Sequence, residues 1–220
     1  MNKTPQKGQQ VTEHNFEQMR RAMVASQLRT TAVNDPRVVE AMGEVPRERF
    51  VPAGQVGQAY LDISLPLGDG RALASPMVLG RLLTEARVRQ HDRALVIGAS
   101  SGYSAAVLAK LAGSVVALEQ GAAPAVSADN VTGVQGALTA GWPASGPYDL
   151  ILFDGAIEYV PAEILDQLVD GGRIAAPVLE GGVTRLAIGR KAGGSFAMIS
   201  FADAEAPVLP GFVKPKQFTF

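Results

Sequence analysis

The stretch LVIGASSGYSAAVLAK, residues 95–110, constrains the fold more than any other part of this 220-residue chain. An apolar run of strand length stops at a small-residue turn, and the turn opens into a segment whose apolar positions recur at helix spacing. Gly98 and Gly102 frame Ala99, Ser100 and Ser101. A turn of this kind lets another group approach the backbone closely and points the amide end of a helix at it. The alternation recurs downstream. RALVIGA leads to GYSAAVLAKLA and SVVALE, while YDLILFDGA leads to the helix PAEILDQLVD, closed by Gly171 and Gly172, and then to GRIAAPV. Near-continuous apolar strands alternating with helices predict an α/β fold, a doubly wound and mostly parallel sheet covered on both faces. VTRLAIGRKAGGSFAMISF adds a C-terminal antiparallel hairpin around AGG.

Upstream of this core the pattern is helical and then irregular. Residues 1–14 read as a flexible, polar lead, and residues 15–220 as one domain, with a helical and loop cap over 15–75 and the sheet core over 76–220. From Phe16, Met19, Met23, Val24 and Leu28 fall on one helix face; a second helix follows Asn34 or Asp35 as cap, with Pro36 in its first turn, and stops near Gly43. The segment through residue 75 is dense in Pro and Gly and reads as loop. Ser75 caps the next helix, with Pro76 at its first position. The stretch QGAAPAVSADNVTGVQGALTAGWPASG, with Pro124 at the centre of its first half, has too little periodicity for a helix.

Composition excludes several functions. Twenty basic and 21 acidic residues leave a net charge of −1, no field to steer a polyanion, so nucleic acid is not an expected partner. No cysteine is present, which removes disulfides, thiolate metal sites and a cysteine nucleophile; His14 and His91 lack partners at metal-ligand spacing, and no metal is expected. The polar N-terminus and the absence of a long apolar run predict a cytoplasmic protein without a membrane partner.

In a doubly wound sheet, ligands sit at the carboxyl ends of the strands where strand order reverses. Gly98 to Gly102, Glu119 and Asp154 each directly follow an apolar strand and share that rim. The dinucleotide fingerprint asks for Gly at its first, third and sixth positions, and this turn has Gly98, Ser100 and Tyr103, which counts against NAD. Glu119, seventeen residues beyond Gly102, stands where a carboxylate accepts the two hydroxyls of an adenosine ribose. Asp154 either caps the turn after its strand or faces the pocket.

MRRAMVASQLRTTAVNDPRVVEAMGEVPRERFVP resembles the N-terminal region of the protein-L-isoaspartate O-methyltransferases, whose helix ends in a VPRe-FVP motif. AYLDISLPLGDGRALASPMV is similar to that family's AY-D-PLPIG-GQTISQP segment, GYSAAVLAKL to its GYQAAVLA helix, and DQLVDGGRIAAPV to its QL-GGRLV-PV stretch. The likeness runs in order from about Met19 to Val178. It implies a class I methyltransferase, Rossmann-like fold, S-adenosyl-L-methionine as cofactor, and methyl transfer to the carboxylate of an L-isoaspartyl residue in a protein or peptide, a repair step. It places cofactor contacts at Gly98, Ser100, Gly102, Tyr103 and Glu119, and the substrate loop at Asp62, Ala74 and Ser75.

The departures fall at the same places. The family's EIGTGSGY is VIGASSGY here, so Val96 stands for its acid and Ser100 for its middle glycine; Ala74 stands for its active-site serine, and Ala137 for the aspartate that meets the adenine. Ala137 follows Glu119 by only eighteen positions, too few for the family's intervening helix and strand. No catalytic residue is assigned, Asp154 and then Ser75 being the candidates; a carboxylate at Asp154 would repel a carboxylate acceptor and suit an amine or hydroxyl. Two readings stay open: a working S-adenosylmethionine-dependent O-methyltransferase, and a non-catalytic relative that keeps the fold as a binding or scaffold module. Oligomeric state is not legible.

Overall fold

The computed structural model describes residues 13–68 and 70–214. Residues 1–12 of the expected lead lie outside them, and its last two residues, Glu13 and His14, are already helical. Helix α1 (Glu13–Met23) continues as a wider turn through Val24–Leu28. Helix α2 (Pro36–Glu44) starts as its sequence dictates: Asp35 accepts the Arg37 amide, and Pro36 occupies the first turn, where no amide partner is needed.

The segment expected to be loop carries more order than that. Two short 3-10 turns, Arg47–Phe50 and Ala53–Gln58, precede a two-stranded antiparallel ribbon of β1 (Leu65–Gly68) and β2 (Arg71–Leu73). Helix α3 (Pro76–Ala86) follows with Ser75 as its cap. Then come β3 (Arg93–Ile97), α4 (Tyr103–Ala109), β4 (Ser114–Glu119), β5 (Val131–Gln135) and β6 (Tyr148–Phe153). Helix α5 (Ala162–Asp166), β7 (Leu168–Glu180), β8 (Val183–Ala192) and β9 (Ser195–Asp203) complete the order.

Among the described residues the main sheet has seven strands in the order β5-β4-β3-β6-β7-β8-β9. The first five pair in parallel, and β8 and β9 join antiparallel as the expected hairpin. The chain steps outward from β3 to β4 and β5, then returns to the other side of β3 as β6, so the order reverses at β3. Side-chain alternation puts Ala94, Val96, Leu150 and Leu152 into one buried cluster, with α1 to α4, and Leu95, Ile97, Ile151 and Phe153 into a second on the opposite face. Burial on both faces is why these strands read as unbroken apolar runs. A buried ion pair between Arg173 on β7 and Asp92 just before β3 ties the two together.

Two expectations are corrected. The helix read over PAEILDQLVD ends at Asp166, and β7 begins two residues later; Gly171 and Gly172 lie inside that strand, where its register against β6 slips between Leu168 and Arg173. Gly171, at φ +78°, serves the irregularity rather than a helix stop. In the stretch after β4 the helix is absent as expected, but the strand is not lost: β5 pairs with β4 from Val131 to Gln135. The connection reaches β5 by packing Pro124 directly on it, and a Cβ at Gly133 would lie 2.4 Å from the Pro124 carbonyl.

Candidate active site

The turn after β3 is held from below. The amides of Gly98 and Ala99 both donate to the Leu118 carbonyl, at 2.9 and 3.0 Å, and the Gly102 amide donates to the Ala99 carbonyl at 2.8 Å. This path requires left-handed backbone at Gly98 (φ +77°), Ser100 (φ +49°) and Gly102 (φ +90°). Glycine takes it without strain, whereas the Cβ of Ser100 costs roughly 1 kcal/mol or more there. Glu119, at the end of β4, reaches into the turn and accepts the Ser100 amide at 2.7 Å. Expected rim residues Gly98, Ser100, Gly102 and Glu119 are therefore brought together by the sheet order.

The other oxygen of Glu119 is engaged by a residue that the sequence did not single out. Arg71 on β2 donates from Nη1 to Glu119 Oε1 at 2.7 Å and from Nη2 to the Gly98 carbonyl at 2.6 Å. Both side chains of the pair are 11% exposed. Apolar side chains flank the turn: a Cβ at Gly102 would lie 2.6 Å from Val126 Cγ2, and one at Gly98 would lie 2.9 Å from Leu209 Cδ2. Leu209 belongs to a C-terminal segment that crosses the rim, where Ala156 donates to the Pro207 carbonyl, Leu209 to the Ala156 carbonyl and Glu158 to the Phe212 carbonyl. Residues 204–214 carry no periodicity that announces this crossing. Arg71 is separated from Glu119 by 48 positions, and a lone arginine opening a short strand after Gly70 signals nothing locally.

Asp154, at the end of β6, turns inward rather than capping its own turn. It accepts the Ser104 hydroxyl of α4 at 2.6 Å. Burial pushes its carboxyl up to about 6, against the lowering pull of that hydrogen bond and of the Arg71 and Arg47 cations, with Glu119 adding to the rise. Arg47 is fully buried beneath this region, donating to the Ala59 carbonyl at 2.7 Å and the Ala74 carbonyl at 2.6 Å. Its guanidinium stands 4.7 Å from the centroid of the Tyr103 ring. Tyr103 thus faces the cap, edge-on to Phe50 at 5.5 Å, and not the opening above the turn.

The residues expected in a substrate loop, Asp62, Ala74 and Ser75, meet at the start of α3. Asp62 accepts the Met77 amide at 3.0 Å, and Ser75 accepts the Val78 amide at 3.4 Å from a nearly buried hydroxyl. Both are caps. Ala74 and Asp154 line a small cavity of about 10 Å³, room for about one water. On the outer side of Ser75 an open groove of about 960 Å³ runs between the Asp62–Ser64 loop, the β7–β8 turn and residues 203–207.

The donor set fits a nucleoside cofactor. A strand-end carboxylate stands beside a left-handed turn, and Ser101 Oγ, buried in that turn, has no hydrogen-bond partner. What stands across the anchors is the side chain of Arg71.

Comparison with known proteins places this geometry. The family model described as protein-L-isoaspartate(D-aspartate) O-methyltransferase matches residues 18–204. A protein-L-isoaspartate O-methyltransferase of Methanoregula boonei is 40% identical over 168 residues, covering 72% of this chain and 77% of that protein. One of a Synechococcus strain is 41% identical over 174 residues, covering 75% and 71%. A solved structure titled protein-L-isoaspartate O-methyltransferase superposes with a TM-score of 0.75 at 23% identity, over 87% of this chain and 66% of that one. The solved structure of the Plasmodium falciparum counterpart, described as putative and in complex with S-adenosyl-L-homocysteine, gives 0.72 at 17% identity, over 86% and 97%. These two likenesses carry the fold alone.

Proposed function

The chain belongs to the protein-L-isoaspartate O-methyltransferase family, and from that premise we propose that it transfers a methyl group from S-adenosyl-L-methionine to the side-chain carboxylate of an L-isoaspartyl residue in a protein or peptide acceptor. The family uses this cofactor and acts on protein substrates. The observation that carries the reading here is the carboxylate of Glu119, fixed to the Ser100 amide at the point where strand order reverses. Gly98, Ser100, Gly102 and Glu119 are the residues that would hold the cofactor, the carboxylate accepting ribose hydroxyls and the turn supplying backbone groups. When bound, the cofactor supplies an electrophilic methyl on a positively charged sulfur.

Little else is demanded of the protein. A carboxylate acceptor with an ordinary pKa near ~4 is already ionised at pH 7, so no general base is needed, and the task is alignment and exclusion of water. This is consistent with alanine at position 74. Asp62 and Ser75 act by shaping the start of α3, and the open groove beside them is where the acceptor peptide would lie, its reacting carboxylate directed toward Ala74 and Asp154. Asp154 is the residue that sets the acceptor's electrostatics. As part of the same proposal, residues 15–220 work as one domain, since cap residues Phe16, Met23 and Leu28 share a buried cluster with Val96 and Leu152 of the sheet. The setting is cytoplasmic with no nucleic-acid partner; among the described residues no helix is long and apolar enough to cross a membrane.

The test is transfer of labelled methyl from S-adenosylmethionine to an L-isoaspartyl peptide and to the same peptide with ordinary aspartate. The isoaspartyl peptide alone should be labelled, and Glu119→Ala should abolish labelling in a folded protein. Equal labelling of both peptides, or full activity in Glu119→Ala, contradicts the assignment.

A further inference from the structure

Resting on that reading, we propose that Arg71 sets the affinity of the cofactor site: its guanidinium occupies both polar anchors, Glu119 and the Gly98 carbonyl, and a nucleoside ligand gains them only when Arg71 leaves. Three observations support this. The two contacts are short and come from adjacent nitrogens of one planar fork, so one side chain closes both acceptors at once. Gly98 is what admits it, since a Cβ there would lie 2.8 Å from Arg71 Nη2. Finally, Glu119 does not depend on Arg71 to stay solvated by the protein: it keeps the Ser100 amide at 2.7 Å and the Gln120 amide at 2.8 Å. Departure of Arg71 is therefore an exchange of one donor for another on a carboxylate that remains hydrogen-bonded.

The consequence is a ligand affinity reduced by the fraction of molecules in which Arg71 is away. An open state populated at roughly 0.1 to 10% weakens binding roughly ten- to a thousandfold.

The experiment is calorimetric titration of S-adenosyl-L-homocysteine into the unaltered protein, Arg71→Ala, Arg71→Gln and Arg71→Lys, each checked for folding by circular dichroism. Removing one member of a buried pair leaves the other charge uncompensated, so Arg71→Gln, which keeps a donor, guards against an unfolded alanine variant. The neutral variants should bind at least about tenfold more tightly than the unaltered protein, with Arg71→Lys in between. In the unaltered protein, the Arg71 Nε–H resonance should shift on saturation with the ligand. Equal affinity throughout, weaker binding by the neutral variants, or an unmoved Arg71 signal at saturation overturns the proposal and leaves the cofactor reading standing. No binding by any protein at millimolar ligand overturns both.

Discussion

At the scale of single residues, the chemistry of this rim follows from what each side chain is bonded to. Asp154 is buried against Ser104 with its carboxyl raised from 3.8 to about 6, so the folded state binds a proton that the unfolded chain releases. Its contribution to stability is fully present below pH 3.8 and is lost as pH rises through about 6. Urea unfolding across that window should show a loss on the order of 3 kcal/mol at most, and Asp154→Asn should flatten it. A slope of the opposite sign would show that the carboxyl is held ionised instead. With the acceptor placed as proposed, the same ionisation sets a negative charge near it, so transfer to an isoaspartyl peptide should decline from about pH 6 upward relative to Asp154→Asn. Gly102 makes a simpler case: at φ +90°, with Val126 Cγ2 2.6 Å from any added Cβ, Gly102→Ala should cost roughly 1 to 3 kcal/mol. Gly121→Ala, with nothing within 4 Å, should stay within about 0.5 kcal/mol. Glu119 and the glycines were legible in the sequence because their positions are local, one step past an apolar strand. Arg71 was not, because its role depends on a partner 48 positions away.

At the scale of elements, caps and alternation were readable and lengths were not. Ser75 followed by Pro76 announces α3, and the structure puts Ser75 Oγ on the Val78 amide. Ser75→Ala should therefore lower stability by roughly 0.5 to 2 kcal/mol while leaving methyl transfer to a folded enzyme in place. Loss of transfer without loss of stability would make Ser75 a catalytic residue. Helix α5 is shorter than its sequence suggests because DQLVDGG continues the apolar spacing of PAEIL, yet Leu168 onward is captured by β6 as strand, a tertiary pairing that outweighs local preference. Strand β5 is silent in the sequence for the opposite reason: VTGVQ carries a glycine and little bulk, and only its ladder with β4 makes it a strand. Gly133 is there because Pro124 crosses it.

At the scale of the whole molecule, the sequence pattern gave the doubly wound sheet and its terminal hairpin, and from the sheet order came the position of the site. The closure of that site was beyond reach of periodicity, because it is made by segments far apart in the chain: the β1–β2 ribbon delivers Arg71, and residues 204–212 deliver Leu209. Val96 and Ser100 stand in the turn where the resemblance leads one to expect an acid and a glycine, and a cation from the cap lies on the carboxylate of Glu119. In the reading proposed above, Glu119 and the Gly98–Gly102 turn form a nucleoside cofactor site held by Arg71. A crystal structure of the protein with S-adenosyl-L-homocysteine tests it most directly. That structure should show ribose hydroxyls on Glu119, the ligand along the turn, and Arg71 displaced from both anchors; ligand bound elsewhere, or bound with the Arg71–Glu119 pair intact, would contradict this assignment.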